Sequence, residues 1–143
     1  MRITNRTRKT LLGTRVMRAA SFLSRLRGFI GRPEPLPGEG ILLVECGSIH
    51  TWWMSFALDV LFLDERGKVL DMVRALPPRR GPRRARGASY VLEVPVGTID
   101  SSQTEVGDEL SWSDSLPYNI SFLSSQERPS KARTPARNRS QGR

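Results

Sequence analysis

The residues best suited to chemistry lie together in one short segment, Cys46-Gly47-Ser48-Ile49-His50-Thr51-Trp52-Trp53-Met54, which holds the only cysteine, the only histidine and two of the three tryptophans. Cys46 and His50 suggest a thiolate nucleophile and its base. The plainer alternative is a structural cysteine, one of the residue types most often buried, and it carries more weight because Gly47-Ser48 between the two reads as a turn. If Ile49 to Met54 is extended, its side chains alternate between faces. His50, Trp52 and Met54 then share one face, and Ile49, Thr51 and Trp53 the other. An imidazole beside an indole and a thioether sits in a partly apolar pocket, a setting that shifts titrating groups into a functional range.

Asp59 is the next informative residue, in Phe56-Ala57-Leu58-Asp59-Val60-Leu61-Phe62-Leu63 with apolar neighbours on both sides. A carboxylate there is costly unless paired or hydrogen-bonded. The bland expectation is an acceptor for backbone amides at the start of a strand; the sharper one is a partner for His50 or an arginine. Cys46, His50, Trp53, Met54 and Asp59 are therefore the expected ligand-binding set. One cysteine and one histidine cannot build a closed Cys/His metal cage, and no ligand spacing specifies a site from His50, Asp59 and a further carboxylate. No metal and no cofactor are expected. A phosphate-binding glycine loop, a dinucleotide fingerprint and a nucleophile elbow are all missing, which argues against nucleotide hydrolysis and hydride transfer. A catalytic role remains open only through Cys46 and His50, and the balance leans away from an enzyme.

A second cluster is basic. Arg79, Arg80, Arg83, Arg84 and Arg86 are interleaved with Gly81, Pro82 and Gly87, a composition that reads as an exposed loop. Phosphate contacts from such a loop give salt-sensitive, sequence-independent nucleic-acid binding, although no paired-helix, zinc-finger or aromatic RNA-binding motif accompanies it. The expected partners are thus an unknown small ligand or protein, with weak nonspecific nucleic acid as the alternative.

The elements that must position these residues follow from pattern and charge. The chain has 143 residues and a formal charge of +9, the size of one domain. Residues 1–33 carry nine Arg/Lys and no acid, whereas Gly40 to Trp112 carries eight basic and ten acidic residues. The charge therefore belongs to the ends. Residues 1–15 read as a basic flexible arm or edge segment, 16–124 as one globular domain, and 125–143 as a basic disordered tail. From Val16, apolar residues at Ala19, Phe22, Leu23, Leu26, Phe29 and Ile30 recur with helical period. The resulting helix is expected to pack on a sheet, its arginines in water; an anchor for a membrane surface or an acidic partner is the alternative. Pro33, Pro35 and Pro37 forbid its continuation.

Gly40 to Val44, Ile49 to Met54, Leu58 to Leu63, Lys68 to Val73, Ala88 to Val94, Leu110 to Trp112 and Leu116 to Leu123 read as strands. Asp64-Glu65-Arg66-Gly67 is a hairpin turn, and Pro95 to Ser102 a turn or short helix. The fold class is α+β, mostly β: a compact antiparallel sheet or small barrel-like domain with one packed N-terminal helix. No apolar run is long enough to span a membrane, no secretory h-region is evident, and a lone thiol suits a reducing compartment. A cytoplasmic monomer is expected.

Three segments give the chain a resemblance to the domain-of-unknown-function 192 family. They are Arg27-Gly28-Phe29-Ile30-Gly31-Arg32; Ile49-His50-Thr51-Trp52-Trp53-Met54 through Asp59-Val60-Leu61-Phe62-Leu63-Asp64, with Gly67-Lys68-Val69 following; and Val91-Leu92-Glu93-Val94-Pro95-Val96-Gly97, then Val106-Gly107-Asp108-Glu109-Leu110. The resemblance spans roughly residues 17 to 112. It implies antiparallel strands with a packed helix, and brings no agreed activity, cofactor or catalytic residue. The chain departs from it at Ser55, where a basic residue is frequent, and at Ala57, where a proline is frequent; the basic tail lies outside it.

Overall fold

The computed structural model describes residues 1–114. Its centre is a five-stranded sheet of β3 (Arg15–Ala19), β4 (Glu39–Val44), β6 (Leu58–Leu63), β7 (Val69–Leu76) and β9 (Tyr90–Val94), in the order β3-β4-β9-β6-β7. A second sheet, in the order β10-β1-β2, joins β1 (Arg2–Asn5), β2 (Thr10–Gly13) and β10 (Leu110–Ser113). A two-stranded ladder joins β5 (Ser48–Ile49) to β8 (Arg83–Arg84). The helices are short: α1 (Phe22–Arg27) and α2 (Thr98–Ser101). The α+β, mostly β class holds, as three separate sheets rather than a closed barrel.

Every residue of β6 is buried, and the central sheet is covered on both faces. Period two sorts its residues. Leu42, Leu61, Leu63, Leu92 and Val94 join one apolar cluster with Ile3, Leu12 and Leu110 from the smaller sheet. Ile41, Leu43, Val60, Phe62 and Val91 join the other, with Phe29, Ile49 and Met54. The Asp64–Gly67 turn closes the β6–β7 hairpin as expected: the Asp64 carboxylate accepts from the amides of Arg66 and Lys68 at 2.8 and 2.9 Å. Gly67 has φ +86°, and a Cβ there would collide with the Leu110 carbonyl. Only glycine lets the hairpin tip touch β10 so closely, and that contact joins the two larger sheets.

Several expectations are corrected. Residues 1–15 are not a loose arm: β1 and β2 pair with each other, β1 pairs with β10, and Ile3 and Leu12 are buried. A polar contact also holds this hairpin. Asn5, fully buried, donates to Thr104 Oγ1 at 3.1 Å and Asp108 Oδ2 at 2.9 Å, a convergence of residues about a hundred positions apart that hydrophobic pattern cannot show. The helix does not begin near Val16, because Arg15–Ala19 is extended and pairs in parallel with β4. The antiparallel expectation thus fails at this one pairing, made through a short crossover containing α1. Nor is α1 packed: none of its residues is buried, and Phe22 and Leu23 are 70% and 74% exposed. It is held by a capping box, in which the Ser21 and Ser24 side chains each accept from the other's backbone amide. Of the strand expected from Ile49 to Met54 only Ser48–Ile49 forms, so the face assignment built on it does not apply. The strand expected over 116–123 and the tail lie outside the described residues.

Asp59 has the bland role in full. At 1% exposure it accepts from the backbone amides of Ala75 at 2.9 Å, Gly97 at 3.1 Å and Ile99 at 3.0 Å. It ties the end of β7 and the first turn of α2 to β6. Three N–H groups lose their acceptor in Asp59→Ala, that of Ile99 buried and those of Ala75 and Gly97 partly so, and the cost should be about 2–3 kcal/mol. Urea unfolding should show the midpoint falling at unchanged slope; a loss under about 1 kcal/mol would mean that the amides find other acceptors.

Candidate functional site

Glu93, which the sequence reading passed over, defines the site. It lies on β9 between Leu92 and Val94, and period two turns it to the same face as Val91. Its cross-strand partners are Ile41 on β4 and Val60 on β6, both in the apolar cluster on that face. A carboxyl group is thereby placed in an apolar layer at 4% exposure. Its Oε2 has no hydrogen-bond partner, and no ion pair among the described residues involves it. Burial strips its hydration with nothing in return and pushes its pKa from 4.5 up to about 7.

Glu93 lines a cleft of about 40 Å³ that it shares with Gly28, Ser48, His50 and Met54. His50 Nδ1 is buried there, also without a partner. These two atoms are the only buried side-chain polar atoms left unpaired among the described residues, and they line the same cleft. The wall facing Glu93 is bare backbone. Gly28 caps α1 at φ +45°, and a Cβ there would stand 3.1 Å from Oε2; any side chain would fill the space. Phe29, buried and edge-on to Phe56 at 6.0 Å, anchors this turn.

The 48–54 segment is shaped by Thr51, a second residue the sequence reading did not single out. Its amide donates to the Arg80 carbonyl at 3.1 Å, its carbonyl accepts from the Arg79 amide at 2.7 Å, and its hydroxyl donates to the Pro77 carbonyl at 2.8 Å and accepts from the Arg80 amide at 2.9 Å. That clamp fastens the turn to the arginine loop. His50 lies against Trp52 with centroids 4.8 Å apart and 30° between planes, and Trp53 meets it edge-on at 6.2 Å. Met54 is buried, while Trp53 is 76% exposed at φ 63°. Met54 also lines a neighbouring groove with Trp52, Trp53 and Arg79, so the aromatic pair borders the cleft.

The expected set divides. His50 and Met54 line the cleft, with Trp53 at its border. Asp59 does not: on β6 it shares the opposite face of the sheet with Leu61 and Leu63, and its carboxylate is taken up by backbone amides. Cys46 is half-buried, and its thiol donates to the Ser48 carbonyl at 3.0 Å rather than engaging His50. No group of three or more metal-ligating side chains occurs among the described residues. The five arginines expected in a loop are all exposed, but Arg83 and Arg84 are extended as β8 against Ser48–Ile49, and Arg83 pairs with Asp71 at 3.1 Å. Glu93 could have been found by the argument that singled out Asp59, an acid inside an apolar strand.

A family model described as "Uncharacterized ACR", the domain-of-unknown-function 192 family, matches residues 3–112. The chain belongs to this family. A UPF0127 protein of Thermococcus sibiricus is 37% identical over 115 residues, covering 76% of this chain and 72% of its own. A UPF0127 protein of Pyrococcus furiosus is 34% identical over 97 residues, covering 66% and 83%. Two solved structures share the fold of this family member. One is a protein of unknown function from Novosphingobium aromaticivorans, with TM-score 0.64, 19% identity, and coverage of 78% of this chain and 82% of that one. The other is a Sinorhizobium meliloti protein provisionally described as a transcription regulator, with TM-score 0.65, 21% identity, and coverage of 77% and 89%.

Because the folded protein holds the Glu93 proton more tightly than the unfolded chain does, its contribution to stability is complete below about pH 4.5 and is lost as pH rises toward about 7. The gap corresponds to about 3 kcal/mol. Glu93→Gln removes that dependence, so the variant should gain on the wild type across this window in denaturant titrations at stepped pH. Parallel curves for the two proteins would show that Glu93 is not buried as described.

Proposed function

We propose that the protein is a non-enzymatic binding module whose ligand enters the cleft between Glu93 and His50. One observation carries this reading: the two unpaired buried polar atoms of the described residues line one cleft, against a wall that only glycine leaves open. Buried polar groups are nearly always satisfied. Two left unsatisfied in the lining of one cleft are what a site looks like when its ligand supplies the missing partners. The Cys46 thiol, turned to a backbone carbonyl, lends no support to a thiol or hydrolytic mechanism. The expected site therefore shifts from His50 with Asp59 to His50 with Glu93.

The test is a panel of single-class probes (glycerol, acetate, inorganic phosphate and an alkylammonium salt) added to the full chain, with tryptophan fluorescence and the His50 ring resonances as readouts. At least one class should give a saturable change that disappears in the Glu93→Gln, His50→Gln double variant. If no class perturbs the wild type, the cleft is a packing defect and the reading fails.

A second reading rests on the exposed Arg79–Arg86 loop, in which Arg79, Arg80, Arg84 and Arg86 make no ion pair with the described residues. It is nonspecific association with nucleic acid. Binding to generic duplex DNA and RNA should weaken linearly in log affinity against log salt, with a slope of about −0.9 per phosphate contacted on B-form DNA, and replacing these arginines by Gln should flatten that slope. No binding at low salt removes this reading.

A further inference from the structure

The cleft specifies the chemistry of what it holds. We infer that its ligand presents a compact ammonium group, inserted between Glu93 and His50, with an alkyl body lying against Trp52 and Trp53. The inference rests on the binding role of the cleft and goes on to name the ligand class.

Three observations carry it. First, what Glu93 lacks is both a hydrogen-bond donor and a positive charge. The cations that line the same cleft, Arg25 and Arg27 on α1, are turned elsewhere. Arg25 donates to the Ala20 and Val44 carbonyls at 3.2 and 3.0 Å and pairs with Glu45 at 3.6 Å; Arg27 donates to the Ile30 carbonyl at 3.4 Å. Burial without a compensating charge is the sole cause of the shift in the Glu93 carboxyl. Second, the space of about 40 Å³ suits a few heavy atoms, since one water needs roughly 10–15 Å³ of the same measure. It excludes a ring or a phosphate but admits a primary ammonium, whose three N–H donors can serve both Glu93 Oε2 and His50 Nδ1. Third, the surroundings are aromatic: Trp52 and Trp53 pack on the His50 ring with centroids 4.8 and 6.2 Å away, and line the neighbouring groove that shares Met54 with the cleft. An indole face attracts a cation and covers methylenes.

Binding is then coupled to a proton. Below about pH 7 the site holds a neutral carboxylic acid, and entry of the ammonium displaces that proton to solvent: Glu93–COOH and R–NH₃⁺ give the Glu93 carboxylate–ammonium pair and one H⁺. His50 from the 48–54 turn and Arg25 and Arg27 from α1 are the other charged or titratable side chains facing the cleft. β4 and β5 contribute only Leu43, Ser48 and Ile49.

Ethylammonium chloride titrated into the full chain, with sodium chloride holding ionic strength constant, tests this. Saturable quenching of tryptophan fluorescence is expected above pH 7, with affinity falling about tenfold per pH unit below it. Calorimetry in buffers of different ionisation heat should count close to one proton released per ligand bound at low pH. Ethanol, the neutral analogue, should not bind. Glu93→Gln should abolish binding, and His50→Gln should weaken it while keeping the proton release, which separates the Glu93 proton from any on His50. Saturable binding of ethylammonium that survives Glu93→Gln, or binding of acetate or glycerol with none of ethylammonium, overturns the ammonium assignment and leaves the cleft as a site for another class. Absence of binding by all of these probes overturns both.

Discussion

The carboxylate of Asp59 is the constraint on which the arrangement rests. β6 runs through the middle of the molecule with all six of its residues buried, and there a carboxylate would be intolerable as an isolated charge. It is tolerated because three backbone amides, from the end of β7 and the first turn of α2, converge on it. Those amides would otherwise be orphaned, since a four-residue helix satisfies almost none of its own N-terminal donors. Asp59 thus does the work of an N-cap from another strand. It fixes where the chain turns after β9, and with that the face on which β9 presents Glu93.

Two acids in neighbouring strands meet opposite fates for a geometric reason. Asp59 pairs with Val94, one position along from Glu93. A shift of one residue in a strand reverses the face. Asp59 therefore looks toward α2 and its free amides, and Glu93 toward the apolar layer beneath α1, where no donor waits. The first is an interaction that holds structure together. The second is an uncompensated cost, and proteins keep such costs mainly where function demands them.

Much of this was legible in the sequence. The central strands, the Asp64–Gly67 hairpin and the exposure of the arginines at 79–86 all follow from hydrophobic period and turn chemistry. Three things were not. The N-terminal hairpin is anchored through Asn5, whose partners lie near the far end of the domain, and polar pairing over that distance leaves no periodic trace. The apolar spacing from Val16 to Ile30 fits a helix, but Ala19 and Phe29 are buried while Phe22, Leu23 and Leu26 between them are not; the period is shared between a strand, an exposed turn of helix and an anchor. His50 sits on a turn rather than a strand because Thr51 spends its backbone groups on the Arg79–Arg80 loop, so alternation could not predict its neighbours. The acceptor role of Asp59 was legible from its apolar setting; Glu93 was passed over although it too is an acid in an apolar strand, and only register places the two on opposite faces.

The unpacked state of α1 has a consequence for access. None of its residues is buried, and Arg25 reaches the sheet only through the Val44 carbonyl and Glu45, whereas the hydrogen bonds of β9 lie in a sheet covered on both sides. Amides of the helix should therefore exchange with solvent through local fraying, at a free energy far below that of global unfolding, with Phe29 as the pivot that stays put. Gly28 lies between the fraying segment and the pivot. The side of the cleft opposite Glu93 is in this way the least costly part of the protein to displace, and entry to a nearly closed space requires no breathing of the sheet.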